Sequence, residues 1–396
     1  MKLFWTIVSV VNWLLAAGWS WRTLTAIGCL PQVADLRESR YAAPAQEQAE
    51  PQLTVIVPAR NEGAAIETTL RSLLAQRIPL DILAVDDRST DATGAVMDRV
   101  AAEALPADKH LRVIHIADLP SGWLGKNHAL ALASREVTTP WMLFTDGDVQ
   151  FSPEALPRAL HYAKQEAVDH FVLFPTPTLQ SNGERMMMSF IQVSAALGQQ
   201  LWRIPDPKAK HESIGVGAFN LVRRSAYEGI GGFEALPMEV LEDLRLGYLL
   251  KSSGYRSKVA FGPGLARVHW AQGVMGILRN LTKNAFAVFR FNLGQILGVC
   301  LGMAIAFLVP VLGLFGPIEC RGASLLVWVM IFLIYRYHLR LYDFGWWSFL
   351  TFPIAGCLFL YAVLRSTVVT LWRGGVVWRG TFYRLSELRR NLGPLR

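Results

Sequence analysis

Apolar runs near both ends of the chain enclose a central region in which short apolar and polar stretches alternate. The first run, residues 3–21, carries no charge and has three tryptophans near its ends. It is just long enough to cross a bilayer core of roughly 30 Å, and tryptophan favours the headgroup layer. The run therefore predicts a transmembrane anchor. A cleaved signal peptide is the alternative, since such peptides also begin the chain with an apolar stretch.

The C-terminal part of the chain returns to this membrane-like pattern. Residues 295–317 and 344–364 are long apolar runs, and Pro310 can kink the helix predicted for the first, whereas residues 323–335 are apolar but short. If the central domain and the arginine-rich tail are both cytoplasmic, an even number of crossings separates them. The three runs leave this open: either the short one is re-entrant or interfacial, or the tail lies on the far side.

In the central region, strand-like and helix-like patterns alternate. Short β-branched runs predict buried strands at residues 53–59, 81–87, 111–116 and 141–148. Helical spacing and capping residues predict helices at 62–76, 92–105 and around 127–134. This alternation predicts an α/β fold with a doubly wound, mostly parallel sheet.

Composition and charge add a membrane contact to this picture. Hydrophobic residues make up 52% of the chain, charged residues 18%, and the net charge is +8. Many arginines flank or follow apolar runs, which favours anionic headgroups over nucleic acid as the partner. The predicted segments are a transmembrane anchor (1–25), a polar linker (26–52), the sheet domain (53–270), an interfacial segment (271–294), a transmembrane region (295–372) and a basic tail (373–396).

Polar side chains follow three of the predicted strands, and ligands of parallel sheets bind beyond the carboxyl ends of the strands. In chain order, these sets are Pro58-Ala59-Arg60-Asn61-Glu62, Asp86-Asp87 and Asp146-Gly147-Asp148. An Asp-x-Asp pair suits Mg²⁺ or Mn²⁺, hard cations that take one or two carboxylates plus phosphate oxygens. Taken alone, the pair is equally well explained as a turn, because Asp and Gly are common in turns.

The order of six motifs is far more specific than any one of them. They are VIVPARNE (55–62), AVDDRSTDAT (84–93), GWLGKNHAL (122–130), FTDGDV (144–149), GVGAFNLVRRSAYEGIGGFE (215–234) and EVLEDLRLGYLLKSSGYR (239–256). With them the sequence resembles the family 2 glycosyltransferases, inverting enzymes of the GT-A fold, over roughly residues 53–270. The terminal apolar segments and WRGTFYR (378–384) also look like the membrane-bound members, which include hopanoid-associated, carotenoid and ceramide-type lipid glycosyltransferases.

The resemblance implies a role for each matching residue. The donor-binding set would be Pro58, Arg60, Asn61, Glu62, Asp86, Asp87, Lys126 and Asp146. Within it, Asp86 or Asp87 would contact the base, since a carboxylate accepts the imide N–H of uracil, and Lys126 would reach the diphosphate. Asp146 and Asp148 would hold the Mg²⁺ or Mn²⁺ that neutralises the leaving group.

The catalytic residues implied by the resemblance are Asp243, as the base that takes the acceptor's proton, and Glu242 in support. On spacing alone this pair would be a helix start, because acids favour the first turn. His211, His269 and Trp270 are weaker candidates, and Gly217, Ala218, Phe219 and Asn220 would line the acceptor side.

The implied function is an inverting, metal-dependent transfer of a single sugar from a nucleotide-sugar donor to a membrane lipid. The Gln/Arg-x-x-Arg-Trp signature of processive synthases and ceramide glucosyltransferases does not occur between Ala271 and Leu293, which disfavours polymer extrusion. A synthase of a short exported polysaccharide and a non-enzymatic membrane transporter are the alternatives. We expect a multi-pass cell-membrane protein with a cytoplasmic catalytic domain, and no nucleic-acid partner.

Overall fold

The computed structural model describes residues 2–44, 50–378 and 380–392, and the chain divides into two compact units. The sheet unit comprises residues 33–178 and 203–269, together with the last described residues, 391 and 392. The helical unit comprises residues 2–32, 179–202 and 270–390. Met1 of the predicted anchor, residues 45–49 of the predicted linker, and Arg379 and residues 393–396 of the predicted tail lie outside the described residues.

The regular elements alternate between strand and helix in the sheet unit and are mostly helical elsewhere. The strands are β1 (Ala34–Asp35), β2 (Leu53–Ala59), β3 (Leu80–Asp87), β4 (Lys109–Ile116), β5 (Trp141–Phe144), β6 (Val149–Phe151), β7 (His170–Leu173), β8 (Thr176–Pro177), β9 (Asn220–Arg223), β10 (Ser257–Phe261), β11 (Ala266–Val268), β12 (Gly375–Trp378) and β13 (Thr381–Arg384). The α-helices are α1 (Lys2–Cys29), α2 (Ile66–Leu74), α3 (Thr93–Ala101), α4 (Gly125–Ser134), α5 (Ala155–Gln165), α6 (Asn182–Gly198), α7 (Arg224–Gly229), α8 (Glu242–Ser252), α9 (Gly273–Val288), α10 (Leu293–Gly313), α11 (Ile318–His338), α12 (Phe352–Arg373) and α13 (Leu385–Arg390). Short 3₁₀ helices lie at Leu30–Gln32, Ser39–Tyr41, Leu201–Arg203, Gly232–Ala235 and Trp346–Thr351.

The main sheet has the strand order β1-β10-β7-β9-β5-β2-β3-β4. Every neighbouring pair is parallel except those made by β9, which runs antiparallel to both β5 and β7. This confirms the predicted α/β class and its mostly parallel sheet. The antiparallel strand β9 was not predicted, because its four residues lie inside a longer motif without a strand-like repeat. A second small sheet has the order β6-β11-β8.

The central strands are buried on both faces, as their continuous β-branched runs predict. Side chains alternate between the faces, so Val55 and Val57 pack on one side with α2 and α3, and Ile56 packs on the other with α4 and α8. All seven residues of β2 are buried. The strand predicted for residues 141–148 ends earlier, at Phe144, and places Asp146 and Asp148 in the turn that leads to β6.

Close packing of glycines fixes the start of α8. A Cβ at Gly215 would overlap the carbonyl oxygen of Asp243, and a Cβ at Gly247 would overlap that of Ile214. Real Cβ atoms do not approach backbone this closely, so only glycine allows the segment before β9 to lie directly on the first two turns of α8. This contact sets the position of the acidic pair that begins the helix.

In the helical unit, four helical segments are long and apolar enough to cross a membrane. They are Lys2–Gln32, Leu293–Gly313, Ile318–His338 and Trp346–Arg373. The short apolar run at 323–335 lies inside α11, because helical residues with charged side chains extend it at both ends to 21 residues. The run is therefore part of a helix of spanning length rather than a separate short segment.

Contacts within the helical unit define the course of these helices. Asn12 Nδ2 donates to Ser324 Oγ at 2.6 Å and to the carbonyl of Cys320 at 3.0 Å, so α1 packs along α11. The ring of Phe352, the first residue of α12, lies 5.2 Å from that of Phe307 in α10. Beyond the other end of α12, Arg389 Nη2 donates to the carbonyl of Phe291, just before α10 begins, at 2.8 Å. Helix α12 thus runs antiparallel to α10.

Candidate active site

A buried lysine joins two acidic residues at the carboxyl edge of the main sheet. Lys126 Nζ lies 2.5 Å from Asp146 Oδ1 and 2.6 Å from Glu242 Oε1. The side chains of Lys126 and Glu242 are only 12% and 8% exposed. The three residues come from the first turn of α4, the turn after β5 and the first turn of α8. The structure therefore brings three sequence-predicted site residues into direct contact.

The electrostatics of this cluster favour a charged lysine. Burial acts to lower the pKa of Lys126, but the charges of Asp146, Glu242 and Asp243 outweigh it and hold that pKa above its usual range. Lys126 also lies at the N-terminal, positive end of α4, where a cation is unfavourable. The neighbouring carboxylates offset both costs, so removing either the lysine or the acids would leave buried charge uncompensated.

Asp243 is held next to this cluster by backbone donors. Its Oδ2 accepts a hydrogen bond from the amide of Gly217 at 2.8 Å, and its Oδ1 accepts one from the amide of Leu244 at 2.8 Å. Burial, followed by the charge of Glu242, raises the pKa of Asp243 to about 7, while Lys126 acts in the opposite direction. A carboxyl group with this pKa is suited to accept a proton near neutral pH.

Gly217 lies between the two acidic positions. A Cβ there would be 2.7 Å from Asp146 Oδ2 and 3.3 Å from Lys126 Nζ. The residue was assigned to the acceptor side from the resemblance. The structure shows that its amide binds Asp243 and that its missing side chain leaves room for Asp146 and Lys126.

Three carboxylates gather where the Asp146–Asp148 turn meets the loop after β2. Burial and then the charges of Asp146 and Glu62 raise the pKa of Asp148 to about 7. Such mutual repulsion is relieved by a cation, so this donor set fits Mg²⁺ or Mn²⁺. Among the described residues, no group of three or more His, Cys, Asp or Glu side chains is arranged to hold a metal ion. Substrate oxygens would therefore have to complete the coordination.

The loops after β2 and β3 are bound tightly to each other. The amide of Asn61 donates to Ser89 Oγ at 3.1 Å, and Asn61 Oδ1 accepts from the amide of Thr90 at 2.8 Å. The amide of Glu62 donates to Thr93 Oγ1 at 2.8 Å. Asn61 has a φ of 55°, a left-handed conformation that asparagine tolerates better than most residues. These bonds explain why the motif continues past the aspartates to Ser89 and Thr93, which the sequence analysis did not assign.

Asp86 and Asp87 point to opposite sides of β3. Asp86 Oδ1 accepts from the amide of Ser89 at 3.1 Å, and Oδ2 lies 3.2 Å from His115 Nδ1 on the neighbouring strand. Asp87 is 1% exposed and forms an ion pair with Arg88 Nε at 2.7 Å. Neither His115 nor Arg88 was predicted. Because successive side chains of a strand point to opposite faces of the sheet, the sequence could have shown that Asp86 and Asp87 do not point the same way.

The remaining predicted residues lie outside the lysine cluster. Pro58 is buried within β2, and Arg60 is partly buried in the loop after it. Asn220 Oδ1 lies 2.6 Å from His170 Nε2 in the buried sheet, where burial lowers the pKa of His170 to about 4. This pair is a satisfied polar contact, and Asn220 also lines a small cavity with Lys126, Gly217 and Asp243, so its assignment to the acceptor side stays a prediction. His211 is exposed in the loop before β9, and His269 follows β11.

An open, mostly parallel sheet with an Asp-x-Asp turn and an acidic helix start at its carboxyl edge fits the GT-A fold. Residues 54–231 match the family described as Glycosyl transferase family 2. These residues form a family 2 glycosyltransferase domain and the chain is a glycosyltransferase, as the resemblance implied. The sixth motif, which contains Glu242 and Asp243, lies beyond the matched residues.

Relatives and solved structures agree with this assignment. The chain is 23% identical over 343 residues to a protein named 4,4'-diaponeurosporenoate glycosyltransferase from Staphylococcus aureus, strain MRSA252, covering 85% of this chain and 89% of that protein. It is also similar in fold to the mannosyltransferase PcManGT from Pyrobaculum calidifontis, solved in complex with GDP-Man and Mn²⁺. That likeness has a TM-score of 0.56 and 16% identity, and covers 92% of this chain and 99% of the other.

The lysine cluster gives a stability prediction. Lys126→Met leaves Asp146 and Glu242 without their shared cation, and breaking a buried ion pair in this way costs about 3–5 kcal/mol. We expect a clearly lower apparent melting temperature in detergent, with partial recovery in Lys126→Met/Glu242→Gln, which removes one of the two uncompensated charges. Lys164→Met, on the exposed side of α5, is the matched control and should melt like the parent. Equal melting of Lys126→Met and the parent would contradict a structural role for the cluster.

Proposed function

We propose that this glycosyltransferase transfers a single sugar from a nucleotide-sugar donor to a membrane-lipid acceptor, with inversion at the anomeric carbon and with Mg²⁺ or Mn²⁺ as cofactor. The observation that carries the proposal is the contact of Lys126 with both Asp146 and Glu242. It supports the proposal because Lys126 and Asp146, proposed for the donor phosphates and the metal, contact Glu242, which is next to the proposed base in the chain. The two halves of a sugar transfer thus have their groups side by side.

The acceptor half of the reaction needs a base when the lipid reacts through a hydroxyl group rather than through a carboxylate. As the acceptor hydroxyl oxygen attacks the anomeric carbon, its bond to that carbon forms on the face opposite the leaving group. The bond to the nucleoside diphosphate breaks, and its electron pair leaves with the phosphate. Asp243 accepts the hydroxyl proton. The amides of Gly217 and Leu244 hold its carboxylate in one orientation, which keeps the base positioned before the acceptor arrives.

The donor half needs positive charge at the diphosphate. Lys126 reaches the phosphates from the first turn of α4, where the helix N-terminus also favours an anion. Asp146 and Asp148 would hold the metal, which when bound supplies further positive charge to the leaving diphosphate. The loop that contains Arg60, Asn61 and Glu62 borders the nucleotide. Of the two aspartates, Asp86 is the one we assign to the base of the nucleotide, because Asp87 is buried and already forms an ion pair with Arg88.

A lipid acceptor is supported by the relative and by the helical unit. The relative from Staphylococcus aureus is named for transfer to 4,4'-diaponeurosporenoate, a carotenoid acid, and the alignment extends over most of both chains. The four apolar helices fit a membrane protein. An acceptor that stays in the bilayer requires an enzyme that stays there as well. The helices would then keep the site close to its acceptor.

The contacts within the helical unit also support a membrane topology. Phe307 lies 14 residues after Leu293, or about 21 Å along α10 at 1.5 Å per residue. Because α12 starts beside Phe307 and runs from there toward the start of α10, it does not reach the turn that joins α10 to α11. The ring of Phe349, just before α12, lies 5.2 Å from Phe332 in α11. On this proposal α1, α10 and α11 cross, while α12 enters and leaves on the side where α10 begins.

The distribution of charged residues supports the cytoplasm as the side on which α10 begins. The three segments of the helical unit contain fifteen lysines and arginines against four acidic residues, and the rest of the chain contains twenty-four against twenty-seven. The positive-inside rule places short basic segments next to membrane helices in the cytoplasm. On this topology, most of the basic residues lie toward the level at which α10 begins, within or just after the helices, among them Arg22, Arg279, Lys283, Arg336, Arg340 and Arg373. The tail and the sheet unit would then share the cytoplasmic side, with an even number of crossings between them.

Turnover by the purified protein tests the reaction. We expect one nucleotide sugar from a panel to release nucleoside diphosphate when total membrane lipids and Mn²⁺ or Mg²⁺ are present. Asp243→Asn should lower kcat by roughly 10²–10⁴-fold, the usual contribution of a general base. Asp148→Asn should lose most of the release that Mn²⁺ or Mg²⁺ supports in the parent, because it weakens the metal site. Asp108→Asn, the same change just before β4 at the opposite edge of the sheet, is the control. Release that needs no metal, or products with several added sugars, would overturn the proposal.

The pH dependence tests the base itself. Asp243 accepts a proton only when ionised, and its pKa of about 7 leaves much of it protonated in mild acid. We therefore expect kcat/KM to rise with pH between about 5.5 and 7.5 and then level off. Glu242→Gln removes the neighbouring charge that helps to raise this pKa, so the midpoint should move to lower pH. A rate that falls over this range would rule out Asp243 as the base.

Cysteine accessibility tests the topology. In a variant without the native cysteines, we expect Phe315→Cys, in the turn between α10 and α11, to react with a membrane-impermeant maleimide in intact cells of a bacterial host. Ser386→Cys, in α13, should react only after the cells are permeabilised, because the tail lies on the opposite side. Reaction of both cysteines in intact cells would instead support a third crossing by α12.

A further inference from the structure

The β-hairpin that follows the last apolar helix carries part of the WRGTFYR motif and has no part in the sugar-transfer chemistry. Its strands β12 and β13 pair antiparallel, with Val376 opposite Tyr383 and Val377 opposite Phe382. Gly374 ends α12 in a left-handed conformation with a φ of 67°, and its carbonyl accepts from the amide of Leu385 at 2.8 Å. The base of the hairpin is therefore closed directly at the end of the helix.

The two faces of the hairpin differ sharply in exposure. Val376 and Tyr383 are 6% and 7% exposed and face the helical unit. Val377 and Phe382 are 41% and 49% exposed and form an apolar cross-strand pair on the outer face. Trp372, in the last turn of α12, is 83% exposed. A two-stranded ribbon that shows such side chains to water is poorly stable, so the outer face needs an apolar environment.

Positive charge surrounds this apolar face. Arg373 precedes the hairpin, Arg384 ends it, and Arg389 and Arg390 follow in α13, against a single acid, Glu387. Arg373, Arg384 and Arg390 are exposed. Aromatic and aliphatic side chains flanked by arginine are characteristic of the bilayer interface, where rings lie among the headgroups and guanidinium groups bind phosphate.

The position of the hairpin fits the same environment. It begins where an apolar helix of spanning length ends, and the helix after it donates from Arg389 to Phe291, next to the start of a second such helix. Both neighbours leave the apolar region at this level. The hairpin therefore lies at the depth of the headgroups, with its inner face against protein and its outer face toward lipid.

We propose that the outer face of this hairpin, Val377 and Phe382 together with Arg373 and Arg384, is a docking surface for anionic phospholipid headgroups. The apolar pair enters the upper acyl region, and the two guanidinium groups bind lipid phosphates on either side of it. The surface holds the C-terminal end of the helical unit at a fixed depth and prefers anionic over zwitterionic lipid. This inference rests on the membrane placement proposed above, but not on the donor, the acceptor or the metal.

Fluorescence quenching in nanodiscs tests this surface on the full-length chain. Phe382→Cys, in a variant without the native cysteines, is labelled with a polarity-sensitive fluorophore, and Val377→Cys provides a second site should the first fail to fold. Brominated phosphatidylglycerol and brominated phosphatidylcholine are compared at the same mole fraction. We expect the anionic lipid to quench at least about twofold more strongly, because lysine and arginine near a membrane surface attract anionic lipid.

Charge variants separate lipid preference from simple immersion. Arg373→Gln/Arg384→Gln should equalise the two lipids while the label stays quenched. Arg99→Gln/Arg224→Gln removes the same charge from exposed positions of the sheet unit and should leave the preference unchanged. A label that neither lipid quenches, or equal quenching by both in the parent, would overturn the inference. Incorporation into nanodiscs reports on membrane placement separately, so the two proposals fail independently.

Discussion

The contact of one ammonium group with two carboxylates holds the active site together. Lys126, Asp146 and Glu242 come from three elements that meet only in the folded sheet unit, and the charges of Lys126 and Glu242 are too buried to be stable alone. The cluster fixes the distance between the Asp-x-Asp turn and the first turn of α8. In the proposed reaction, that distance separates the residues at the leaving diphosphate from the residues at the attacking acceptor, so the electrostatic constraint would also be a catalytic one.

Close backbone packing also holds the lysine cluster and the start of α8 in place. Gly215 and Gly247 allow the segment before β9 to lie on α8, and the amide of Gly217 then binds Asp243. A side chain at any of these glycines would displace the acidic pair or the cluster. The loops after β2 and β3 form a second rigid part through hydrogen bonds of Asn61 and Glu62. Neither part has to rearrange much when a substrate binds, because its polar groups are already oriented.

The sequence predicted four strands of the main sheet, β2 to β5, and residues of the site, but not the other four strands or the partners of the site residues. The continuous β-branched runs of β2 and β3 could only be buried strands, and acids at their ends had to meet at one edge. Strand β9 was missed because antiparallel insertion is set by neighbours distant in sequence. Lys126 was expected to contact the donor diphosphate, but in the structure it binds Asp146 and Glu242. This pairing also depends on residues that are distant in sequence. Asn220 was assigned to the acceptor side, and its pairing with His170 was not predicted. Motifs identify residues; which atom faces which depends on packing.

The apolar helices show the same limit at a larger scale. Hydropathy gives the length of each helix, and by length alone α10, α11 and α12 are equivalent. Their contacts are not equivalent, because α12 begins beside Phe307, within the span of α10, while α11 packs along α1 as far as Ser324 and Cys320. A helix that begins within the span of an antiparallel neighbour need not cross with it. Whether an even or an odd number of helices crosses the membrane therefore depends on packing and not on hydropathy. The concentration of arginine at one end of the helical unit agrees with the proposed topology, in which α12 does not cross.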